Sequence, residues 1–292
     1  MTHNLASELG PVGVWQGALT GDDGALTPEL VDGARELEQL GYGALWLGGS
    51  PRPRQAEPLL AATSTLRVAT GITSIWNDEP TTTAADFAAL NDANGDRFVL
   101  GLGVSHAALT GDRYRRPYSA MVDYLRALDA AERPVPAERR VLAALGPRML
   151  RLSRDRAAGA HPYLVTAEHT ARARATLGPD ALLAPELKVV VDTDLTRARA
   201  TARAYLARYL QLPNYTRNLE RLGFSAEDLA DGGSDRLLSE VFALGDVDSV
   251  RRRVDAFLAA GADHLALQVV TERAGRELPI AVYRALAPAL TR

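Results

Sequence analysis

The chain of 292 residues contains no cysteine. Disulfide bonds, thiolate nucleophiles and cysteine-ligated zinc or iron–sulfur centres are therefore excluded. The sequence also has no apolar run of the roughly 20 residues that a membrane-spanning helix needs. Its first residues, MTHNLASELGPVGVW, do not follow the pattern of a secretory signal peptide. We therefore expect a cytoplasmic protein that does not associate with a membrane.

An excess of charge of either sign is lacking too. The chain has 33 basic and 36 acidic residues, a net charge of −3, and no long basic run. We therefore expect a small-molecule substrate and no nucleic-acid partner. The motifs of several enzyme classes are missing: there is no Walker loop, no HExxH, no GxSxG and no carboxylate-rich magnesium motif. The sequence predicts no metal site.

The most informative stretch runs from residue 66 to residue 106. An apolar run, Leu66–Ile72, breaks at Thr73-Ser74; a helical segment over about 81–93 is stopped by Gly95; and a second apolar run, Arg97–Leu102, ends in Gly101-Leu102-Gly103. His106 stands where a dinucleotide-binding motif would need a third glycine, so that interpretation is not favoured. The stretch predicts a strand–helix–strand unit, and the carboxyl ends of its strands are where parallel α/β sheets place their sites.

Apolar runs and helical patterns alternate along the whole chain. The predicted strands are Val12–Gln16, Ala44–Leu47, Leu66–Ile72, Arg97–Leu102, Val141–Leu145, Ala160–Val165, Leu187–Val191 and His264–Val270. Eight strands, each followed by a helix, favour an α/β fold of the (β/α)8 TIM-barrel type, with residues 1–292 forming a single domain. The segment Pro213–Leu244 is too long for a connection, which predicts a helical insertion at about 213–244, before the last strand.

Several side chains near predicted strand ends are candidates for a site. His106 and His161 could each hydrogen-bond a ligand or carry a proton, or be satisfied by neighbouring backbone. Trp15, Trp46 and Trp76 suit a pocket for a flat ring, although Trp46 also suits the filling of a barrel. Gly146-Pro147 would expose backbone N–H groups at a helix start, where phosphate binds well, unless it is a plain turn.

Four ordered motifs resemble one known family. TGITSIWN, RFVLGLGVSH, LAALGPRMLRL and GAHPYLVT occur in this order and at separations similar to those of the bacterial luciferase-like family, and most closely resemble its branch that uses the deazaflavin coenzyme F420. The similarity extends from Val12 to the last helix. The resemblance implies a TIM barrel with an insertion, hydride transfer at C5 of the cofactor ring, and often a homodimer.

The same resemblance implies where the cofactor binds. Several members have a non-prolyl cis peptide at the end of the third strand, and the matching bond here is Ser74–Ile75. Ring and tail contacts at the end of the fourth strand match Gly103 and Val104. Phosphate contacts from backbone after the fifth and sixth strands match two further groups: Ala144, Leu145 and Gly146, then Val165 and Thr166.

The chain departs from the sugar- and alcohol-oxidising relatives at two positions. Those relatives carry a histidine just after the second strand, where this chain has Gly48-Gly49-Ser50, and a glutamate where this chain has Val104. His106 becomes the substitute candidate for handling the proton, with Asn77 or Glu79 as possible companions.

Three functional hypotheses follow. The first is a coenzyme F420-dependent oxidoreductase acting on a small organic substrate. The second is an FMN-dependent luciferase-like monooxygenase, which would share the ring pocket. The third is a barrel that has lost catalysis and has a binding or scaffold role, as the missing histidine and glutamate would allow.

Overall fold

A computed structural model describes residues 5–17, 19–21, 24–273 and 277–291, and the other positions of the predicted 1–292 domain lie outside it. The strands are β1 Val12–Gly17, β2 Ala44–Gly48, β3 Arg67–Thr70, β4 Thr73–Ser74, β5 Phe98–Gly103, β6 Arg140–Leu142, β7 Gly159–Ala160, β8 Leu182–Leu183, β9 Glu186–Val191, β10 Phe242–Gly245 and β11 Leu265–Val269. The helices are α1 Leu5–Leu9, α2 Pro28–Gln39, α3 Glu57–Ala62, α4 Pro80–Asn94, α5 Ala107–Thr110, α6 Pro117–Asp129, α7 Pro147–Arg156, α8 Ala167–Leu177, α9 Leu195–Leu206, α10 Pro213–Arg221, α11 Ala226–Leu229, α12 Asp235–Val241, α13 Val247–Ala259 and α14 Ile280–Leu290.

The strands pair in parallel in the order β10-β9-β11-β1-β2-β3-β5-β6-β7-β8, with β4 alongside β5. Only Ala184 and Pro185 separate β8 from β9, so the two sides of the sheet meet in one continuous segment. The Ala184 N–H donates to the carbonyl of Ala160, and the Glu186 N–H donates to that of Pro162, both over 2.9 Å. The sheet therefore curls round on itself into a TIM-barrel-like α/β fold, which confirms the predicted fold class.

The predicted strands are found within five residues of their observed bounds, but three strands of the described chain were missed: β4, β8 and β10. β8 has two residues, and β10 has four, three of which fall within the end of the predicted insertion. β10 pairs with Lys188–Val191 of β9. Within the predicted insertion the structure has α10, α11 and α12, as expected for a helical segment before the last strand.

Helix boundaries follow local chemistry. Gly95 ends α4 with φ +64°, a left-handed conformation that glycine adopts without strain. Thr166 and Asp246 cap α8 and α13, because their side chains accept hydrogen bonds from the N–H groups of His169 and Ser249. These caps fix the points at which the chain leaves the sheet and turns into a helix.

The barrel interior is filled by large and small side chains together. Trp46 is fully buried and packs in one cluster with Leu9 of α1 and with Ala69, Val99 and Ala266 of three strands. This confirms the barrel-filling interpretation of Trp46. Among the described residues, no helix combines the length and the apolar character that crossing a membrane requires.

Candidate active site

A cavity of about 510 Å³ opens at the carboxyl ends of the strands. Trp15 of β1, Gly71 and Ile72 after β3, and Val104 after β5 lie on its wall. Further lining residues lie after β2, β5, β6 and β7, on α7, after α9 and on α10: Gly49, Ser50, Ser105, His106, Leu109, Ala143, Ala144, Leu145, Gly146, Met149, His161, Tyr163, Tyr209, Asn214, Tyr215, Arg217 and Arg221. No aspartate or glutamate is among these residues, so the cavity suits neutral or negatively charged ligands.

One part of the cavity is built for an anion. Gly146 is the residue before α7, and Pro147 occupies the first turn, so the positive end of this helix lies beside the cavity. Arg221 of α10 reaches the same place: a Cβ added at Gly146 would lie 3.9 Å from its Nη1. Arg217 lies one turn earlier on the same helix and also lines the cavity.

A second cavity, of about 480 Å³, continues from this point. It shares Val104, Gly146 and Arg221 with the first cavity and adds Arg148. The guanidinium of Arg148 stacks over the ring of Tyr118, 4.1 Å from the centroid. Within the described part of the chain, neither Arg148 nor Arg221 forms an ion pair with a carboxylate, so both charges remain available to a ligand.

His106 lies on the cavity wall with a defined tautomer. The amide nitrogen of Asn214 is 3.4 Å from the Ser105 carbonyl, which can only accept, so this nitrogen is the donating NH2 group. The same nitrogen lies 3.3 Å from Nδ1 of His106, which must therefore accept. Burial lowers the pKa of His106. The neutral ring thus carries its proton on Nε2, and the ring of Tyr215 packs 4.9 Å away.

Tyr163 belongs to a cluster of tyrosines at the cavity wall. Its hydroxyl donates to Oε1 of Gln268 over 2.8 Å and lies 2.9 Å from the hydroxyl of Tyr209. Burial raises the pKa of Tyr163 well above its usual range, so the phenol stays protonated. Beneath its ring lies Nζ of Lys188, 3.8 Å from the centroid.

The predicted cis bond is in a different place. The structure has the cis peptide at Gly71–Ile72, and Ser74–Ile75 is not cis. The reason is the pairing of β4: Thr73 and Ser74 align with Leu102 and Gly103, and the Ile75 N–H continues the ladder by donating to the Gly103 carbonyl. The break after β3 therefore falls three residues earlier, and it is Gly71 and Ile72 that line the cavity.

The other predicted cofactor residues divide into two groups. Val104, Ala144, Leu145 and Gly146 line the cavity. A second group is buried behind it or beside it and lines none of the described cavities: Ser74, Ile75, Gly103, Val165 and Thr166. Gly103 still shapes the site, since a Cβ there would come within 2.6 Å of the Ile72 side chain.

The structure does not bring the two companions proposed for His106 to its side. Asn77 is exposed, donates to the Ser50 carbonyl over 3.2 Å, and lines a separate polar depression. Glu79 is exposed at the start of α4 and lines none of the described cavities. Of these three candidates, His106 alone contacts the main cavity.

Sequence reasoning missed the contribution of the insertion. Asn214, Tyr215 and Arg221 lie on α10, far along the chain from the strand ends that they face. One signal was available, because Arg217 and Arg221 are four residues apart and so share one face of a helix. The sequence does not show which part of the barrel that face covers.

The sequence and the fold correspond to a known class of enzymes. Residues 13–264 match the model of the luciferase-like monooxygenase family, and the chain belongs to this family. Its members are oxidoreductases or monooxygenases. No curated protein sequence matches the chain significantly.

Solved structures share the fold at low sequence identity. The coenzyme F420-dependent tetrahydromethanopterin reductase from Methanopyrus kandleri has a TM-score of 0.76 and 15% identity, covering 97% of this chain and 98% of its own. An F420-dependent secondary alcohol dehydrogenase with an F420-acetone adduct has a TM-score of 0.71 and 13% identity, covering 97% and 99%. The FMN-bound oxygenating constituent of 3,6-diketocamphane monooxygenase from Pseudomonas putida has a TM-score of 0.65 and 11% identity, covering 97% of each chain.

Proposed function

We propose that this protein is a deazaflavin-dependent oxidoreductase that binds coenzyme F420 in the main cavity and acts on a small organic substrate. When bound, the ring supplies a carbon, C5, that accepts or donates hydride. Gly71, Ile72 and Val104 would hold the ring, and the backbone from Ala144 to Gly146 would hold the phosphate together with Arg221. The donor set fits, because it combines an apolar wall with an uncompensated positive end.

One observation carries the choice of cofactor. The second cavity begins where the phosphate would lie, at Gly146 and Arg221, and continues to Arg148. FMN ends at its phosphate, whereas coenzyme F420 continues from its phosphate into a tail that bears carboxylates. Room and unpaired positive charge beyond the phosphate position therefore favour the deazaflavin.

A hydrogen bond to the reacting oxygen of the substrate is assigned to His106. Its neutral ring has a donor at Nε2 and is held by Asn214, so it would donate to that oxygen and stabilise the negative charge that hydride transfer develops there. Asn77 and Glu79 have no part in this assignment, since they do not line the main cavity.

An FMN-dependent monooxygenase is the second candidate. The likeness to an FMN-bound structure supports it, and the anion-binding end at Gly146 would suit the phosphate of FMN equally well. In that case the second cavity would have no role in cofactor binding.

Fluorescence titration of the purified protein separates these functions. We expect coenzyme F420 to bind more tightly than FMN. It should also bind more tightly than a shortened deazaflavin that lacks the phosphate and the tail. The variant R148A should lose about threefold to fivefold in affinity for coenzyme F420 and keep its affinity for FMN, because an exposed ion pair contributes up to about 1 kcal/mol.

The matched control is R151A, on the exposed side of the same helix, which should leave both affinities unchanged. Tight binding of FMN alone would replace the proposal with the monooxygenase. Binding of neither cofactor would favour a non-catalytic barrel.

A further inference from the structure

His161 follows β7 and lines the main cavity with only 1% of its surface exposed. Its ring stacks on that of Trp46, with centroids 4.2 Å apart and planes at 9°. Trp46 is itself fixed, because its indole N–H donates to Nε2 of His264 over 3.0 Å. The orientation of His161 is therefore set by packing before any ligand binds.

The hydrogen bond at one ring nitrogen of His161 fixes the protonation state of the other. Nδ1 of His161 lies 2.6 Å from the carbonyl oxygen of Ala184. A carbonyl can only accept, so Nδ1 carries the proton. Burial lowers the pKa of His161 to about 4, and the ring is neutral at physiological pH. Nε2 is therefore a bare lone pair.

This lone pair has no hydrogen-bond partner within the described part of the chain. It points toward Gly71, since a Cβ added there would lie 3.2 Å from Nε2. The nearby donors are already engaged: the Trp15 indole N–H donates to the Gly71 carbonyl over 3.0 Å, and the Tyr163 hydroxyl donates to Gln268. An acceptor buried without a donor costs free energy that a suitable ligand would recover.

We propose that Nε2 of His161 accepts a hydrogen bond from an uncharged N–H or O–H group on the edge of the bound cofactor ring. The inference rests on the proposed function and adds a residue that recognises the ring. Anionic groups are repelled by this lone pair and are drawn to Gly146 and Arg221. The cavity therefore distinguishes the ring of the cofactor from its phosphate.

Two ring groups have this chemistry. The imide N3–H is shared by FMN and coenzyme F420. The 8-hydroxyl occurs on coenzyme F420, where FMN carries a methyl group. A donor at either edge satisfies the lone pair, and the two can be separated by choosing the ring that is offered.

The first test uses the unaltered protein with 15N-labelled histidine, so it does not depend on a variant that might misfold. Long-range 1H–15N spectra report the state of each ring nitrogen. We expect the Nε2 resonance of His161 to move when FMN or coenzyme F420 is added. That of His264, which already accepts from Trp46, should stay in place. A ring that binds without moving the His161 resonance overturns the inference and leaves the proposed function intact.

The second test compares the affinities of the unaltered protein and of H161F for a set of rings. The variant keeps an aromatic ring beside Trp46 and removes the lone pair. The loss of one hydrogen bond should weaken binding by about fivefold to tenfold. If N3–H is the donor, the unaltered protein should prefer FMN to 3-methyl-FMN and H161F should not. If the 8-hydroxyl is the donor, H161F should lose affinity for coenzyme F420 alone. Equal affinities of both proteins for every ring overturn the inference, and failure of the unaltered protein to bind any ring overturns the proposed function.

Discussion

Lys188 is the only lysine in the chain, and it is completely buried. It lies on β9 two residues after Glu186, so both side chains point to the same face of the strand. Nζ is 2.7 Å from Oε2 of Glu186 and lies over the ring of Tyr163. Burial raises the pKa of Glu186, and the neighbouring ammonium opposes that rise. Each charge is therefore tolerated only because the other is present.

Replacing one member of this pair should destabilise the fold strongly. We expect K188M to lower the free energy of unfolding by about 3–5 kcal/mol, since it leaves the Glu186 carboxylate buried without its cationic partner. The double variant E186L/K188M should recover most of the loss, because both charges of the pair are then removed. Urea unfolding of the three proteins at pH 7 measures this. A double variant as unstable as K188M would contradict the explanation.

At the scale of elements, the sequence predicted the long strands and their order well, because a buried parallel strand is a nearly continuous apolar run. It missed β4, β8 and β10, which are too short to show a period. It also misplaced the cis bond, since nothing in the letters of Thr73-Ser74 shows that they resume pairing with β5. The point at which a strand breaks and resumes pairing depends on its partner strand. A single sequence does not show how the two strands are aligned.

The residues of the candidate site also divide into those that the sequence predicts and those that it does not. Strand ends could be found from the sequence, and so could Val104, Gly146 and His106. Asn214 and Arg221 could not, because α10 is placed by tertiary packing of the insertion against the barrel. The residues that fix the His106 tautomer and complete the anion-binding end therefore become visible only in the folded structure.

Glu38 near the end of α2 holds the turn that precedes β3. Its Oε1 accepts from the N–H groups of Ser64, Thr65 and Leu66 at 2.9, 2.5 and 2.8 Å. Although desolvation opposes it, this set of donors lowers the pKa of Glu38 to about 2. The folded state therefore favours the carboxylate, and its contribution is complete above about pH 4.5 and is lost as the pH falls toward 2.

We expect E38Q to lower the free energy of unfolding at pH 7 by about 1–2 kcal/mol, because an amide accepts these three bonds less strongly than a carboxylate. The difference from the unaltered protein should shrink below about pH 4.5, where Glu38 begins to take up a proton in the unfolded chain. E36Q, on the same helix, is the control, since Glu36 pairs only with Arg284 among the described residues. It tests whether the loss of any carboxylate on α2 lowers the free energy of unfolding as much as the loss of Glu38. Equal losses in the two variants would argue against a special role for Glu38.

The whole molecule should be sensitive to mild acid. His161 and His264 are buried in the barrel, and burial lowers both pKa values from 6.5 to about 4. Burial lowers the pKa values of His106 and His169 in the same direction. The unfolded chain therefore binds protons that the folded protein does not, so stability is full above about pH 6.5 and falls as the pH decreases toward 4.

Chemical unfolding between pH 6.5 and 5 checks this expectation. His161 and His264 alone should give a slope that approaches about 2.7 kcal/mol per pH unit, and H161F should remove about half of it. A free energy of unfolding that stays constant over this interval would contradict the burial of neutral imidazoles. Because the interval lies above the ordinary pKa values of carboxylates, acidic residues contribute little to the result.

The burial of Lys188 also determines how the protein reacts with common reagents. Acylating agents and amine-directed cross-linkers attack an unprotonated ε-amino group that solvent can reach, and the folded chain offers none. Apart from the α-amino group, such reagents should leave the native protein unmodified. Acylation at Lys188 can occur only when the barrel opens, so its rate reports how often the closed sheet comes apart.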